Sequence, residues 1–243
     1  MSPGRHRGRP SATQAEPSLP GDFRSAREFL AEVHRRLVRA YGLPADSRPS
    51  PATEELVRTI LSQNTNDTNR DRAFHRLREA FPTWEELAAA DTAEVAEAIR
   101  PGGLADIKAP RIQRALDCIR RQSGRYDLSF ICEMETERAL DWLRALPGVG
   151  PKTAACVLLF SCRKPVMPVD THILRVTSRL GLLPQSSSLE TAHEVLGSAV
   201  PPEAVFPLHI NLIRHGRQTC PPRAPLCVDC VPRDVCRCAG SAP

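Results

Sequence analysis

Lys152 is one of only three lysines in a chain with thirty arginines, and it ends the segment Leu146-Pro147-Gly148-Val149-Gly150-Pro151-Lys152, followed by Thr153. Arginine binds a phosphate at least as well as lysine does. What lysine adds is an amine that can lose its proton and attack a carbonyl-like carbon to form a Schiff base. At an unperturbed pKa near 10.4, about one amine in a few thousand is neutral at pH 7, so a nucleophilic lysine needs a depressed pKa. A helix N-terminus and a surrounding positive segment both act in that direction.

Eighteen residues further on stands Pro168-Val169-Asp170-Thr171-His172, where Asp170 is the sole acid between residues 142 and 189, against six bases. An aspartate just before a helix is an ordinary N-cap. The same carboxylate could stabilise a cationic sugar transition state or relay a proton. A helix from Lys152 followed by the turn Arg163-Lys164-Pro165 would fold Asp170 back toward the lysine. Direct pairing would raise the lysine pKa, so proximity without a tight salt bridge is expected.

The hairpin itself reads as an anion site. Gly148 and Gly150, with Pro151 at a helical first position, describe a tight turn that delivers a new helix N-terminus. Bare backbone there lets a phosphate approach the N–H groups, and the helix dipole favours the negative charge. Such contacts hold a DNA backbone without reading its bases.

Cys220, Cys227, Cys230 and Cys236 form C-x6-C-x2-C-x5-C, four of the nine cysteines. Four thiolates hold zinc or an iron–sulfur cluster. Common zinc modules pair two CxxC units or use histidines, so this uneven run favours [4Fe–4S]. Cys238 lies two residues beyond; Cys118, Cys132, Cys156 and Cys162 fall in helical segments and read as core residues.

These groups need a scaffold, and the sequence predicts a helical one. Phe29, Val33 and Leu37 recur at fourfold spacing, and Leu56, Ile60 and Leu61 follow Thr53, read as an N-cap before Glu54 and Glu55. Ala73, Leu77, Ala80 and Phe81 make another face. Short helices are predicted at 85–90 and 92–99, and longer ones at 109–123 with Pro110 in its first turn, 136–146, 152–162, 171–181, 188–199 and 202–216. Ser187 and Glu190 have capping-box spacing. Residues 1–20, rich in Pro, Gly, Ser and Arg, read as a disordered tail.

At 243 residues the chain can bury a sizeable core without disulfides. The longest wholly apolar stretch, Ala154 to Phe160, has seven residues, far short of the ~20 of a membrane helix, so no membrane partner is expected. The opening MSPGRHRGRP lacks the apolar run of a secretory signal, which points to a reducing, cytoplasmic compartment, nucleoid-associated in a bacterium. The net charge of +5 is polarised: residues 79–99 carry six acids and no base, while 142–189 sum to +5 and 210–243 to +3. A basic centre of this kind faces a polyanion.

The glycine hairpin with its lysine, the aspartate eighteen residues later and the terminal cysteine run together resemble endonuclease III, the DNA glycosylase/AP lyase family of the helix-hairpin-helix Gly/Pro/Asp superfamily. The resemblance spans roughly residues 25–237. It implies two helical lobes with a DNA cleft between them: a six-helix barrel at 45–164 ending in the hairpin, and a [4Fe–4S] domain combining 21–44 with 165–243. It implies Lys152 as Schiff-base nucleophile, Asp170 as catalytic carboxylate and Cys220, Cys227, Cys230 and Cys236 as cluster ligands. Pro147, Gly148, Val149, Gly150, Thr153 and His172 match DNA-binding positions. The segment Ile60-Leu61-Ser62-Gln63-Asn64 matches the helix whose glutamine fills the gap left by a flipped base; here the aligned residue is Asn64, with Gln63 beside it. Gly103-Leu104 matches the wedge loop, with Ala105 where an aromatic is usual. The implied activity is removal of oxidised pyrimidines from duplex DNA and β-elimination at the abasic site, by a monomer. Adenine and thymine mismatch glycosylases of the superfamily share the hairpin and cluster but lack the lysine, and the adenine enzymes carry a further C-terminal domain for which the residues after Cys236 leave no room. A passive DNA-binding hairpin module is the rival of a different class; Lys152 and Asp170 together argue against it.

Overall fold

The computed structural model describes Leu19, residues 23–45 and residues 48–239; the tail expected over 1–20 lies outside the described residues but for Leu19. Among the described residues the chain is helical, with no strand. In order come α1 (Ala26–Tyr41), α2 (Ala52–Leu61), α3 (Asp67–Ala80), α4 (Trp84–Ala89), α5 (Thr92–Ile99), α6 (Ala105–Ser123), α7 (Thr136–Arg144), α8 (Pro151–Cys162), α9 (Thr171–Leu180), α10 (Leu189–Ala199) and α11 (Val205–Gln218). Among the described residues no helix is long and apolar enough to cross a membrane.

Most helices start where a side chain can satisfy an orphan N–H group. Ser25, Asn66, Asp91 and Asp170 each accept such a bond, and Thr83 with Glu86 closes a reciprocal capping box. Several starts differ from the sequence expectation, among them those of α2, α6 and α10. Ser188 rather than Ser187 caps α10. Thr53 lies inside α2, buried, and bonds across the core to the Tyr126 carbonyl and the Leu128 N–H. α6 begins at Ala105, so Pro110 sits within the helix instead of in its first turn. The lost N–H removes one bond near the helix start, and buried Ala109 and Ile112 hold the turn on either side.

The buried apolar side chains fall into two clusters. One joins α2 to α8 through residues such as Leu56, Ile60, Leu77, Ile112, Leu116 and Leu143. The other joins α1 with α9, α10 and α11 through Phe29, Val33, Ile173, Leu196 and Leu208. α8 belongs to both: Ala154, Val157 and Leu158 face the first, Leu159 the second. That double burial explains the seven-residue apolar run, which has no polar face to turn outward. Cys132 and Cys162, expected as separate core thiols, are joined in a disulfide that ties the turn Ser129–Cys132 to the end of α8.

Candidate active site

Each hairpin residue has a distinct environment. Leu146 and Val149 are buried and anchor the turn, which closes with a bond from the Val149 N–H to the Leu146 carbonyl at 3.1 Å. Gly148 has φ +79°, and a Cβ there would stand 2.5 Å from Cδ of Arg111, so the fold itself demands glycine. Gly150 differs. Its φ is −93° and a Cβ would meet nothing within 4 Å. Among the described residues nothing requires glycine at 150, and its missing side chain also leaves the first N–H groups of α8 without a side-chain cap. Both facts suit a helix terminus that receives an anion from outside.

Lys152 stands in the first turn of α8. At the far end of that helix Arg163 adopts φ +56°, and the following extended segment, anchored by buried Met167 and Val169, leads to Asp170 at the start of α9. Lys152 and Asp170 thereby line one cavity of about 990 Å³. Among the described residues no ion pair joins them. Oδ1 of Asp170 accepts the Ile173 N–H at 2.8 Å, which leaves Oδ2 for the cavity.

The same cavity holds Gln63, Asn64, Thr153, Cys156, His172, Glu55 and His209. His209 is fully buried against Phe160, with Nδ1 3.0 Å from the Pro168 carbonyl oxygen; burial, reinforced by the Lys152 charge, lowers its pKa to about 4, so the imidazole is neutral. Burial raises the carboxyl pKa of Glu55, opposed by bonds from Thr59 and Ser50 and by the Lys152 charge. Glu55 was read from sequence only as a first-turn acid; a doublet of glutamates does not say which one faces inward. Another cavity, about 460 Å³ along Gln122–Phe130, holds none of these groups.

Gln63 and Asn64 separate clearly. The Gln63 amide donates to the Gly148 carbonyl at 3.0 Å and approaches Thr153 Oγ1 at 3.5 Å, tying α2 to the hairpin. Asn64 is exposed, with φ +53°. Leu104 has φ +52° and is 47% exposed, with Ile107, also 47% exposed, one turn on. His172 lines the cavity with Nδ1 3.1 Å from Nη2 of Arg175. Thr153 and Val149 are buried. Asp67 on α3 and Arg217 on α11, both lining the cavity, form an ion pair that links the two cores and holds the aspartate below the usual carboxylate range.

Cys220, Cys227, Cys230 and Cys236 are free, half-buried thiols in the segment after α11. The Cys230 thiol is pushed up to about 12, first by burial and then by Cys236, Cys220 and Cys227. Nη1 of Arg179 lies 3.2 Å from Cys220 Sγ, and Arg179 and Arg175 also bond the Pro221, Pro222 and Cys220 carbonyls. Among the described residues no group of three or more potential ligands stands in a ready metal-holding arrangement. The donor chemistry, four soft thiols under a positive arginine pair, fits an anionic thiolate cluster.

The helical fold brings a lysine, two residues beyond a glycine hairpin, and an aspartate to one cavity. Residues 57–202, more than half of the chain, match the HhH-GPD superfamily of base excision DNA repair proteins, and the chain belongs to that family. It is similar to endonuclease III of Sulfolobus acidocaldarius, 39% identical over 186 residues that make up 75% of this chain and 80% of that one. An Arabidopsis thaliana protein named "putative DNA glycosylase" is 36% identical over 162 residues, 67% of this chain and 55% of that one, so the chain spans about half of that relative. Two solved structures, a non-covalent endonuclease III–DNA complex and a trapped endonuclease III–DNA covalent intermediate, superpose with TM-scores of 0.76 and 0.75 at 26% identity, covering 88% of this chain and 97% of each.

Proposed function

We propose that the protein is a bifunctional DNA glycosylase and abasic-site lyase that removes oxidised pyrimidines from duplex DNA. The observation that carries this reading is the cavity shared by Lys152 and Asp170, with Lys152 two residues beyond Gly150 of the hairpin. Supporting it is the likeness to a trapped covalent endonuclease III–DNA intermediate.

In this reading the hairpin backbone and the α8 N-terminus take a phosphate, and the damaged nucleotide leaves the stack to enter the cavity, which costs a few kcal/mol and favours weakly paired bases. Lys152 Nζ, as the free amine, attacks C1′; the C1′–N bond breaks and its electron pair departs with the base, which is then protonated. Asp170 stabilises the positive charge that develops on the sugar. Loss of the lysine protons and opening of the sugar ring give an imine at C1′. Removal of a C2′ proton then expels the 3′ phosphate, and water releases the lysine. Asn64 fills the vacated place in the duplex, Leu104 wedges the opposite strand, and His172 and Pro147 contact the backbone. Cys220, Cys227, Cys230 and Cys236 hold a [4Fe–4S] cluster, which would pin the arginine-bearing loop against DNA and supply structure there. The protein works as a monomer on double-stranded DNA.

The test is a panel of duplexes carrying single oxidised, deaminated, mismatched or abasic sites. Strand cleavage without added alkali at oxidised pyrimidines and abasic sites is expected. Products that appear only after alkali would reduce the protein to a glycosylase without lyase activity, and no product on any lesion would leave a DNA-binding module.

A further inference from the structure

Lys108 is a lysine that the proposed chemistry does not use, and its side chain is only 1% exposed. Its ammonium donates to the Leu61 carbonyl at 2.7 Å and to the Gly102 carbonyl at 2.8 Å. Leu61 ends α2 and lies three residues before Asn64; Gly102 ends the turn Arg100–Gly102 and lies two before Leu104. The two carbonyls are thus held within two hydrogen-bond lengths of each other. A cation at the C-terminal end of α2 also meets the negative end of its dipole. A Cβ on Gly102 would stand 3.1 Å from the Ala73 Cβ on α3, so the turn lies against α3 with little space for a side chain.

Beyond Lys108 both strands of backbone turn left-handed, Asn64 at φ +53° and Leu104 at φ +52°. Such conformations in residues other than glycine persist where their surroundings fix them. On its other side the same stretch is tied to the hairpin, through the Gln63 amide on the Gly148 carbonyl. The end of α2 is therefore a junction between hairpin and wedge loop.

We propose that Lys108 is a positioning residue that sets the separation of Asn64 and Leu104, so that both enter the duplex together when a nucleotide is extruded. This rests on the reading of Asn64 and Leu104 as gap-filling and wedge residues. Lys108 touches no substrate and acts only through the two carbonyls it joins. Burial lowers its pKa to about 8.

The experiment compares Lys108→Met with the wild type on two substrates, an oxidised pyrimidine in a fully paired duplex and an abasic site in a single strand, which needs no extrusion. A 2-aminopurine next to the lesion reports unstacking. Duplex excision is expected to fall about tenfold to a hundredfold, the scale of an ångström-sized misplacement, with loss of the 2-aminopurine signal and little change in single-strand cleavage. Lys108→Arg, which keeps the donors, restores part of the duplex rate. Should Lys108→Met not fold, Lys108→Gln, which retains one amide donor, carries the same comparison. Equal losses on both substrates, or none in a folded variant, would overturn the proposal. Asn64→Ala and Leu104→Ala serve as separate controls: if they leave duplex excision and unstacking intact, the gap-filling reading itself fails, whereas a loss in them without one in Lys108→Met removes Lys108 alone.

Discussion

Gly148 and Gly150 are glycine for different reasons, and substitution separates them. Alanine at Gly148 must adopt φ +79° and displace the Arg111 side chain, so Gly148→Ala is expected to destabilise the fold by roughly 1–2 kcal/mol or more. Alanine at Gly150 meets open space at an ordinary φ. Gly150→Ala is expected to keep the melting temperature or raise it slightly, while weakening binding to duplex DNA. Calorimetry and a binding titration on the same two proteins check this; an unchanged affinity for Gly150→Ala would remove the phosphate from that position. Lys108 gives a pH signature. Its pKa falls from 10.5 in the unfolded chain to about 8 in the fold, so between those values the unfolded state binds more protons and stability rises with pH. The difference in urea midpoint between wild type and Lys108→Met should therefore move in favour of wild type from pH 8 to pH 10; a flat difference would mean the ammonium is not buried in solution. The spacing of Lys152, Asp170 and the cysteines could be read from the chain because those residue types are scarce or clustered. Lys108 and Glu55 could not: one looks like a solvated helix lysine and the other like a first-turn acid until tertiary packing buries them.

At the scale of the elements, hydrophobic periodicity placed the helices well, since each amphipathic face has one core to cover. It was blind where a polar residue turns inward. Thr53 has the residue type and the following acids of an N-cap, yet the chain entering α2 runs through Pro51, and the hydroxyl is used across the core by Tyr126 and Leu128. Thr53→Val keeps the shape but strands the buried Leu128 N–H, an expected loss of about 1–3 kcal/mol; thermal denaturation measures it, and a neutral effect would mean that water replaces the hydroxyl. Pro110 was placed in a first turn on residue preference alone, and the left-handed start at Leu104 that lengthens α6 leaves no mark in the composition. α8 was found as a helix, but its position between two cores shows only when both clusters are assembled.

For the molecule as a whole, α8 carries Lys152 between the two cores, and the exposed ion pair Asp67–Arg217 lines the cavity. An exposed pair contributes about 0–1 kcal/mol, so Asp67→Asn should leave stability nearly unchanged. Freed of its acid, Arg217 becomes available to phosphate, and affinity for DNA at low salt should rise with a steeper salt dependence; binding titrations across ionic strength decide, and an unchanged slope would place Arg217 off the DNA path. The cysteine loop rests on Arg175 and Arg179 of α9, so purified protein is expected to be brown with iron and sulfide in equal amounts, and Cys227→Ser to lose both along with DNA affinity; stoichiometric zinc in a colourless protein would contradict the cluster. The central claim is that Lys152 is the nucleophile. Incubation with an abasic-site duplex under borohydride, followed by mass spectrometry of the adduct, tests it most directly. A covalent complex mapped to Lys152, and none with Lys152→Gln, is the expected result; equal trapping of Lys152→Gln would contradict the account.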